Sequence, residues 1–394
     1  MLDISMDNSK DMILTRNFEM KVDSSRFGPF TFSIGLEASA PVMLLQRLAD
    51  AQARFSSSPL SQVASRLEQE VLASSIFSTN SIEGGTLSEE ETKDALDADP
   101  KDVEAQEQRR VVNIKRAYDL AQNLAQDFAW RLSVDFMTQI HAAVTDGISH
   151  PYNRPGLIRN NPKNIVTRVG DTAHGGIYKP PQYEGDIWLL LDRLVAWHNE
   201  LVDAGMPAPI RAPLVHYYFE LIHPFWDGNG RVGRVLEASV LHHAGFRFAP
   251  FAVARYYLEY IDRYFTLFNL CRKQAEKKEP HPNAPFVIFH LEGMLSAINR
   301  LHDRVNVMVG ELLFETRLKR LRDAKEINIR QYAIVAQLME RRKSIRMDEL
   351  RRAPWLEALY VKLGDKTKQR DLSRLRELKL LIVDDKGNVR PGAE

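Results

Sequence analysis

The chain has 394 residues, 44% of them hydrophobic and 27% charged, room for two or three domains at roughly 150 residues each. Its one cysteine, Cys271, excludes an intramolecular disulfide framework and a cysteine-based zinc site. With 53 basic and 52 acidic residues the formal charge is +1, which excludes a polyelectrolyte that binds nucleic acid or membrane through net charge. No apolar run approaches the ~18 residues of a membrane span, and the acidic N-terminus lacks the apolar core of a secretory signal. The expectation is a soluble, cytoplasmic protein.

Residues 1–36 read as an N-terminal arm, with Phe27 to Gly35 either a short strand or an extended segment. Helical spacing of Leu44, Leu45, Leu48 and Ala51 predicts a helix over 41–55, and Val63, Leu67, Val71, Leu72 and Phe77 predict another over 60–79. Gly84 and Gly85 stop it. Ser88 and Glu91 form a capping-box pattern for a short helix to about Leu96. Helices over about 103–128 and 133–146 follow. A segment rich in Pro and Gly, 148–182, breaks the helical text and predicts a β-hairpin over about 164–180. Further helices are predicted over 184–203, 208–222, 230–244, 255–277 and 284–322.

From residue 326 the charge changes: sixteen basic residues against eleven acidic ones. The pattern there predicts helices over 328–341, 347–352 and 367–379, a break at Pro354, and two strands around an Asp385–Asn388 turn. That order suits a winged helix-turn-helix whose recognition helix, 367–379, bears Lys368, Arg370, Arg374, Arg376 and Lys379. Asp371 and Glu377 dilute its basic face. DNA phosphates are one partner such a module suits, and proteins are another.

The segment His223 to Arg234, HPFWDGNGRVGR, carries most of the functional information. Pro224 disfavours helical geometry at His223, so one helix ends there, and a second begins near Arg231 after a tight Gly228-Asn229-Gly230 turn. The free N–H groups and dipole of the new helix favour a phosphate. Arg231 and Arg234 share a face and fork onto phosphate oxygens. A carboxylate beside phosphates, Asp227, suits Mg²⁺. His223 is the nearby group that exchanges a proton near pH 7. Gly228, Gly230 and Gly233 also fit a dinucleotide fingerprint, but the helical flanks lack the βαβ unit that fingerprint requires. A metal site on His216 and His223 lacks a third ligand in sequence, and a plain glycine turn leaves the cluster of His, Asp, Asn and Arg without a purpose.

The segment resembles the Fic family signature H-x-F-x-[DE]-G-N-G-R-x-x-R at His223, Phe225, Asp227, Gly228, Asn229, Gly230, Arg231 and Arg234. The helical surroundings of about 110–275 are similar to the Fic core. The resemblance implies a mainly α fold: residues 37–109 an N-terminal helical region with an inhibitory helix, 110–277 the Fic core with a small β-hairpin flap, 278–325 a linker helix, and 326–394 a C-terminal winged helix. It also implies a nucleotidyltransferase that moves AMP from ATP, with Mg²⁺, onto Ser, Thr or Tyr hydroxyls of target proteins or of itself. In that scheme His223 deprotonates the hydroxyl and Asp227 holds Mg²⁺. Gly228, Asn229, Gly230, Arg231, Gly233 and Arg234 bind the nucleotide, Tyr256 lies at adenine, and Phe225 packs the loop onto the core. Thr79-Asn-Ser-Ile-Glu83-Gly84 resembles the family pattern [ST]-x-x-x-E-[GN], which implies that Glu83 pairs with Arg234 and blocks the productive pose of ATP. The alternatives are removal of AMP, transfer of another phosphate-containing group, and a DNA-binding regulator whose core senses nucleotide. A homodimer is compatible with all of them.

Overall fold

The structure, a computed structural model, describes residues 16–37, 39–99, 103, 105–124, 127, 129–341 and 344–392. Residues 1–15 of the expected arm, and parts of the helix expected over 103–128, lie outside the described residues. No helix among the described residues is long and apolar enough to cross a membrane. The chain divides into two compact units, 16–57 with 64–302, and 58–63 with 303–392.

The first unit opens with a hairpin, β1 (Met20–Ser24) and β2 (Gly28–Phe32), paired antiparallel with Met20 opposite Phe32. The FGPFTFSIG segment is therefore a strand at its start and an extended stretch beyond. Alternation puts Phe30 and Phe32 inward, where Phe32 packs on Trp197 and Tyr218 at ring distances of 5.9 and 5.1 Å. The turn is closed from across the unit: the buried Asp186 carboxylate accepts the backbone N–H groups of Ser25, Arg26 and Phe27.

Among the described residues there follow α1 (Ser39–Ser56), α2 (Ala64–Ile82), α3 (Glu89–Asp97), α4 (Gln106–Leu124), α5 (Val134–Thr145), α6 (Glu184–Asp203), α7 (Ala208–Ile222), α8 (Asn229–His243), α9 (Ala249–Glu259) and α10 (Ile261–Glu276). The capping box of Ser88 and Glu91 starts α3 as its sequence predicts. One long helix expected over 255–277 is instead two, α9 and α10, separated at Tyr260, whose φ of −120° and ψ of 41° leave helical geometry. The hairpin expected over 164–180 is reduced to one antiparallel bridge, Val169 to Tyr178. Gly170, Gly175 and Gly176 hold positive φ there, so no ladder extends. Side chains of α10 fasten the loop instead: Asn269 donates to the Gly176 carbonyl at 2.8 Å and Lys273 to that of Gly175 at 2.6 Å.

At the centre α7 packs on α8. Almost every residue of α7 is buried, which explains why its sequence is apolar all round and not amphipathic. Helix α2 packs against α9 and ends in a turn in which Gly84 takes φ 78° and the Gly85 N–H returns to the Asn80 carbonyl. Glu83 therefore projects from a fixed helix end.

A 40-residue helix, α11 (Ala284–Asp323), contributes its first part to this unit and its remainder to the second. The second unit continues with α12 (Ile329–Arg341), β3 (Ile345–Arg346), α13 (Met347–Arg352), α14 (Pro354–Ala358), α15 (Asp365–Glu377), β4 (Leu381–Val383) and β5 (Asn388–Pro391), the strands ordered β3-β5-β4. Pro354, expected as a break, starts a short helix, where its missing N–H costs nothing. Asp371 does not dilute the exposed face of α15. It is 3% exposed and accepts from Asn328, Gln331, Arg330 and Tyr360. The solvent side of α15 keeps Lys366, Arg370, Arg374 and Arg376.

Candidate functional site

The His223–Gly228 loop joins two buried helices and is stapled from three sides. His223 caps α7 in the left-handed region, φ 49° and ψ 62°, with its N–H on the Phe219 carbonyl. The preceding proline rule leads to an extended residue; the structure has a left-handed one, a conformation that costs energy for a non-glycine residue and persists where the surroundings dictate it. Arg159, 1% exposed, supplies that constraint. Its Nε donates to the His223 carbonyl at 2.7 Å, its N–H to the Pro224 carbonyl at 2.9 Å, and its Nη2 to the Pro181 carbonyl. Phe225 is fully buried and stacks face to face on the His141 ring, centroids 3.6 Å apart. His141 accepts the Gly156 N–H on Nδ1 and meets the Asp227 carbonyl with Nε2. Burial pushes its pKa down to about 4, so it is a neutral strut at pH 7.

Asn229 closes the turn on itself: its side chain accepts the Phe225 N–H at 3.0 Å and donates to the Phe225 carbonyl at 2.8 Å. The side chain is thus engaged by the loop. What this turn offers an anion is backbone N–H at the start of α8. Gly228 supports that geometry with φ 83° and a Cβ position 3.0 Å from Thr145, both of which disfavour a side chain.

The two arginines differ. Arg231 is 3% exposed. It donates to the Val144 carbonyl at 3.1 Å and to Asp227 at 2.9 Å, so it ties the loop to the end of α5 and does not reach outward. Burial raises the Asp227 pKa, but the Arg231 charge, its hydrogen bond and the Gly228 N–H outweigh burial and bring the net value down. Asp227 is therefore ionised, as a carboxylate that holds a divalent cation must be. Arg234 faces the cavity. Its Nη2 meets Glu83 at 2.7 Å and the Thr79 carbonyl at 3.3 Å, and its Nη1 meets the Tyr264 hydroxyl at 3.2 Å. Burial alone lowers the Arg234 pKa, but the neighbouring Glu83 carboxylate more than reverses this, so the pair is ionic.

Glu83 reaches further than its arginine. A Cβ placed on Gly230 would land on Glu83 Oε1. The carboxylate therefore sits directly over the first turn of α8, where the free N–H groups and the dipole favour negative charge. Gly233 has a different purpose from the one its fingerprint spacing suggests. A Cβ there would lie 2.6 Å from His216 Cδ2 and 2.9 Å from Glu220 Oε1, so Gly233 is what lets α7 and α8 approach. Gly233→Ala is expected to cost about 1–3 kcal/mol through overpacking, read as a lowered Tm in thermal denaturation.

A cavity of about 320 Å³ opens in front of these groups, lined by Glu83, Glu220, His223, Gly230, Arg234, Tyr264, Phe265, Asn269, Arg272 and the loop residues Val169 to Asp171. His223 presents one edge to it. Its Nδ1 faces Glu220 Oε2 at 3.5 Å, which leaves Nε2 for chemistry. Tyr256 is the candidate that the structure does not bring here: its ring packs on Tyr260 and Phe289 at 4.6 and 5.1 Å, and Tyr264 and Phe265 line the cavity instead. The break at Tyr260 sets this apart, since it gives α9 and α10 separate faces. Sequence reasoning passed over Arg159, His141 and Glu220. Only Glu220 carries a local signal, three residues before His223 on the same helix face.

Three comparisons bear on this arrangement. The family profile described as Fic/DOC matches residues 131–241. A protein adenylyltransferase Fic from Drosophila ananassae is 28% identical over 182 residues, 46% of this chain and 34% of that protein. Protein adenylyltransferase fic-1 from Caenorhabditis briggsae is 27% identical over 206 residues, 52% of this chain and 38% of that protein. The chain thus spans just over a third of the length of the curated relatives it matches. The crystal structure of a Fic family protein from Desulfovibrio desulfuricans has the same fold at a TM-score of 0.55, with 16% identity over 90% of this chain and 96% of that one. A buried loop that holds His223 between two packed helices, a carboxylate seated over the glycine turn, and agreement of profile, relatives and fold lead to one conclusion: residues 131–241 of this chain form a domain of the Fic/DOC family.

Proposed function

We propose that the protein is an adenylyltransferase that moves AMP from ATP onto hydroxyl side chains of target proteins, its own included, and that Glu83 holds it in check. The observation that carries the reading is the Glu83 carboxylate bound over Gly230 and paired with Arg234. A negative group already fills the place that a helix N-terminus and a buried arginine prepare for phosphate.

The chemistry follows from the cavity. The target hydroxyl approaches His223, and Nε2 takes its proton as the oxygen attacks the α-phosphorus. The bond from the α-phosphorus to the bridging oxygen breaks, and pyrophosphate leaves with that electron pair. Glu220, opposite Nδ1, steadies the ring as it becomes charged. Backbone N–H groups of the turn and the Arg234 guanidinium meet the phosphate oxygens. Asp227 is the residue that would hold Mg²⁺, which supplies charge neutralisation on the phosphates. Arg231 keeps that carboxylate aimed. The loop around Val169 and Tyr178, pinned by α10, borders the cavity on the side from which a target segment enters.

Position-specific labels separate this from its alternatives. With Glu83→Gly protein, ATP labelled on the α-phosphate is expected to leave label on protein, and ATP labelled on the γ-phosphate is expected to leave none. Label from the γ-phosphate, or from neither, would overturn the reading.

A further inference from the structure

Arg234 has three partners among the described residues, and two of them, Glu83 and the Thr79 carbonyl, come from the end of α2. When nucleotide displaces Glu83, the contact independent of that helix end is the Tyr264 hydroxyl on α10, 3.2 Å from Nη1. That hydroxyl starts a buried chain. Tyr264 Oη lies 3.1 Å from His216 Nε2, and His216 Nδ1 lies 2.8 Å from Glu237 Oε2. The Tyr257 hydroxyl donates to the same carboxylate at 2.9 Å and meets His290 Nδ1 at 2.8 Å. His216 and His290 are fully buried, and Arg234, Tyr264, Glu237 and Tyr257 are at most 3% exposed.

The donors and acceptors run in one direction. A guanidinium only donates, so the Tyr264 oxygen accepts from it and turns its own proton away. With His216 as the Nδ1–H tautomer, its Nε2 accepts the Tyr264 proton and its Nδ1 donates to Glu237. An ionised carboxylate only accepts, so it ends the chain. Its charge favours each dipole in line. Glu237 thus balances the arginine at a distance, without occupying the face that phosphate needs.

Resting on the transferase reading above, we propose that Tyr264, His216 and Glu237 are positioning residues, a relay that keeps the Arg234 guanidinium in its phosphate-binding pose once Glu83 has withdrawn. None of the three acts on the reacting atoms. The relay separates two properties of Arg234: its pairing with the inhibitory carboxylate comes from α2, and its readiness for nucleotide comes from α7, α8 and α10.

Tyr264→Phe removes one hydroxyl and keeps the ring. In the Glu83→Gly background it is expected to raise KM for ATP about tenfold, the worth of one hydrogen bond to a charged group, with kcat within about twofold. A packing role would lower Tm and kcat and leave KM alone. The Kd of ATP, measured by calorimetry in Glu83→Gly/His223→Ala protein, is expected to rise by the same factor without turnover. Glu237→Gln, which keeps the shape and removes the terminal charge, is expected to raise Kd in the same direction by a smaller factor. If Tyr264→Phe does not fold, the Glu237→Gln Kd and the His216 tautomer in the unsubstituted protein, read from 15N chemical shifts, decide the matter: protonated Nδ1 with bare Nε2 supports the relay, and the opposite tautomer overturns it. An unchanged Kd in folded Tyr264→Phe overturns the relay while leaving the transferase reading intact. A raised Kd, found together with Glu83→Gly protein that keeps His223 and still transfers no AMP, supports the relay and removes the transferase reading. Failure of Glu83→Gly protein to bind ATP at all overturns both.

Discussion

Replacing His223 with alanine is expected to lower AMP transfer by about 10²–10⁴, the usual contribution of a positioned general base. The fall belongs in kcat, since the phosphate-binding groups stay where they are: Arg234 keeps the Tyr264 hydroxyl and the Thr79 carbonyl without Glu83, and Asn229 holds the turn. The imidazole carries only one of the constraints on the loop, because Arg159 and the Gly228 turn act on the backbone. Stability is therefore expected to change little. Steady-state kinetics of the Glu83→Gly and Glu83→Gly/His223→Ala proteins, with Tm for each, checks this. A variant that keeps its kcat would show that the proton goes elsewhere.

Glu83→Gly is the second large effect, and its sign is opposite. On the proposed reading, ATP breaks a charge-assisted bond of 2.7 Å between Arg234 and Glu83 in the unsubstituted protein before its own phosphates use the arginine. Such a bond contributes about 1.5–3 kcal/mol, so its removal is expected to raise productive occupancy and AMP transfer roughly 10- to 100-fold at subsaturating ATP. Glycine also removes the carboxylate above Gly230, and the first turn of α8 is then open to a phosphate. Arg234 loses a partner that outweighs its burial, a loss offset by the incoming anion. The expected readout is faster incorporation of AMP, self-modification included. An unchanged rate would mean that the pair does not govern access.

The helical skeleton was legible because its signals are local. The capping box at Ser88, the glycine stop after Ile82, and the apolar period of α6 each depend on residues within one or two turns. The candidate site was legible for a different reason. HPFWDGNGRVGR packs a turn, a helix start, a carboxylate and an imidazole into one short segment, so their proximity needs no knowledge of the fold. What depends on distant partners was not legible. Arg159 reaches across from residue 159 to 223, and His141 slides under Phe225 from another helix. Asp371 looks like a surface charge until Tyr360 and Gln331 are seen to enclose it. The division of labour between Arg231 and Arg234 is of the same kind. Three residues apart, they share a helix face in sequence, yet the Val144 carbonyl takes the first and Glu83 the second. Tyr256, placed at adenine by the resemblance alone, is of the same kind: its ring packs on Tyr260 and Phe289 and does not line the cavity.

The central claim is that one bend between α7 and α8 binds triphosphate beside a basic imidazole and is blocked by one carboxylate. Intact mass spectrometry of the unsubstituted protein, Glu83→Gly and Glu83→Gly/His223→Ala, each after incubation with ATP and Mg²⁺, tests it most directly. The account predicts that Glu83→Gly gains the mass of AMP, that the unsubstituted protein gains far less, and that the double variant gains none. Equal addition in all three, or a gain equal to a phosphate group in Glu83→Gly, would contradict it.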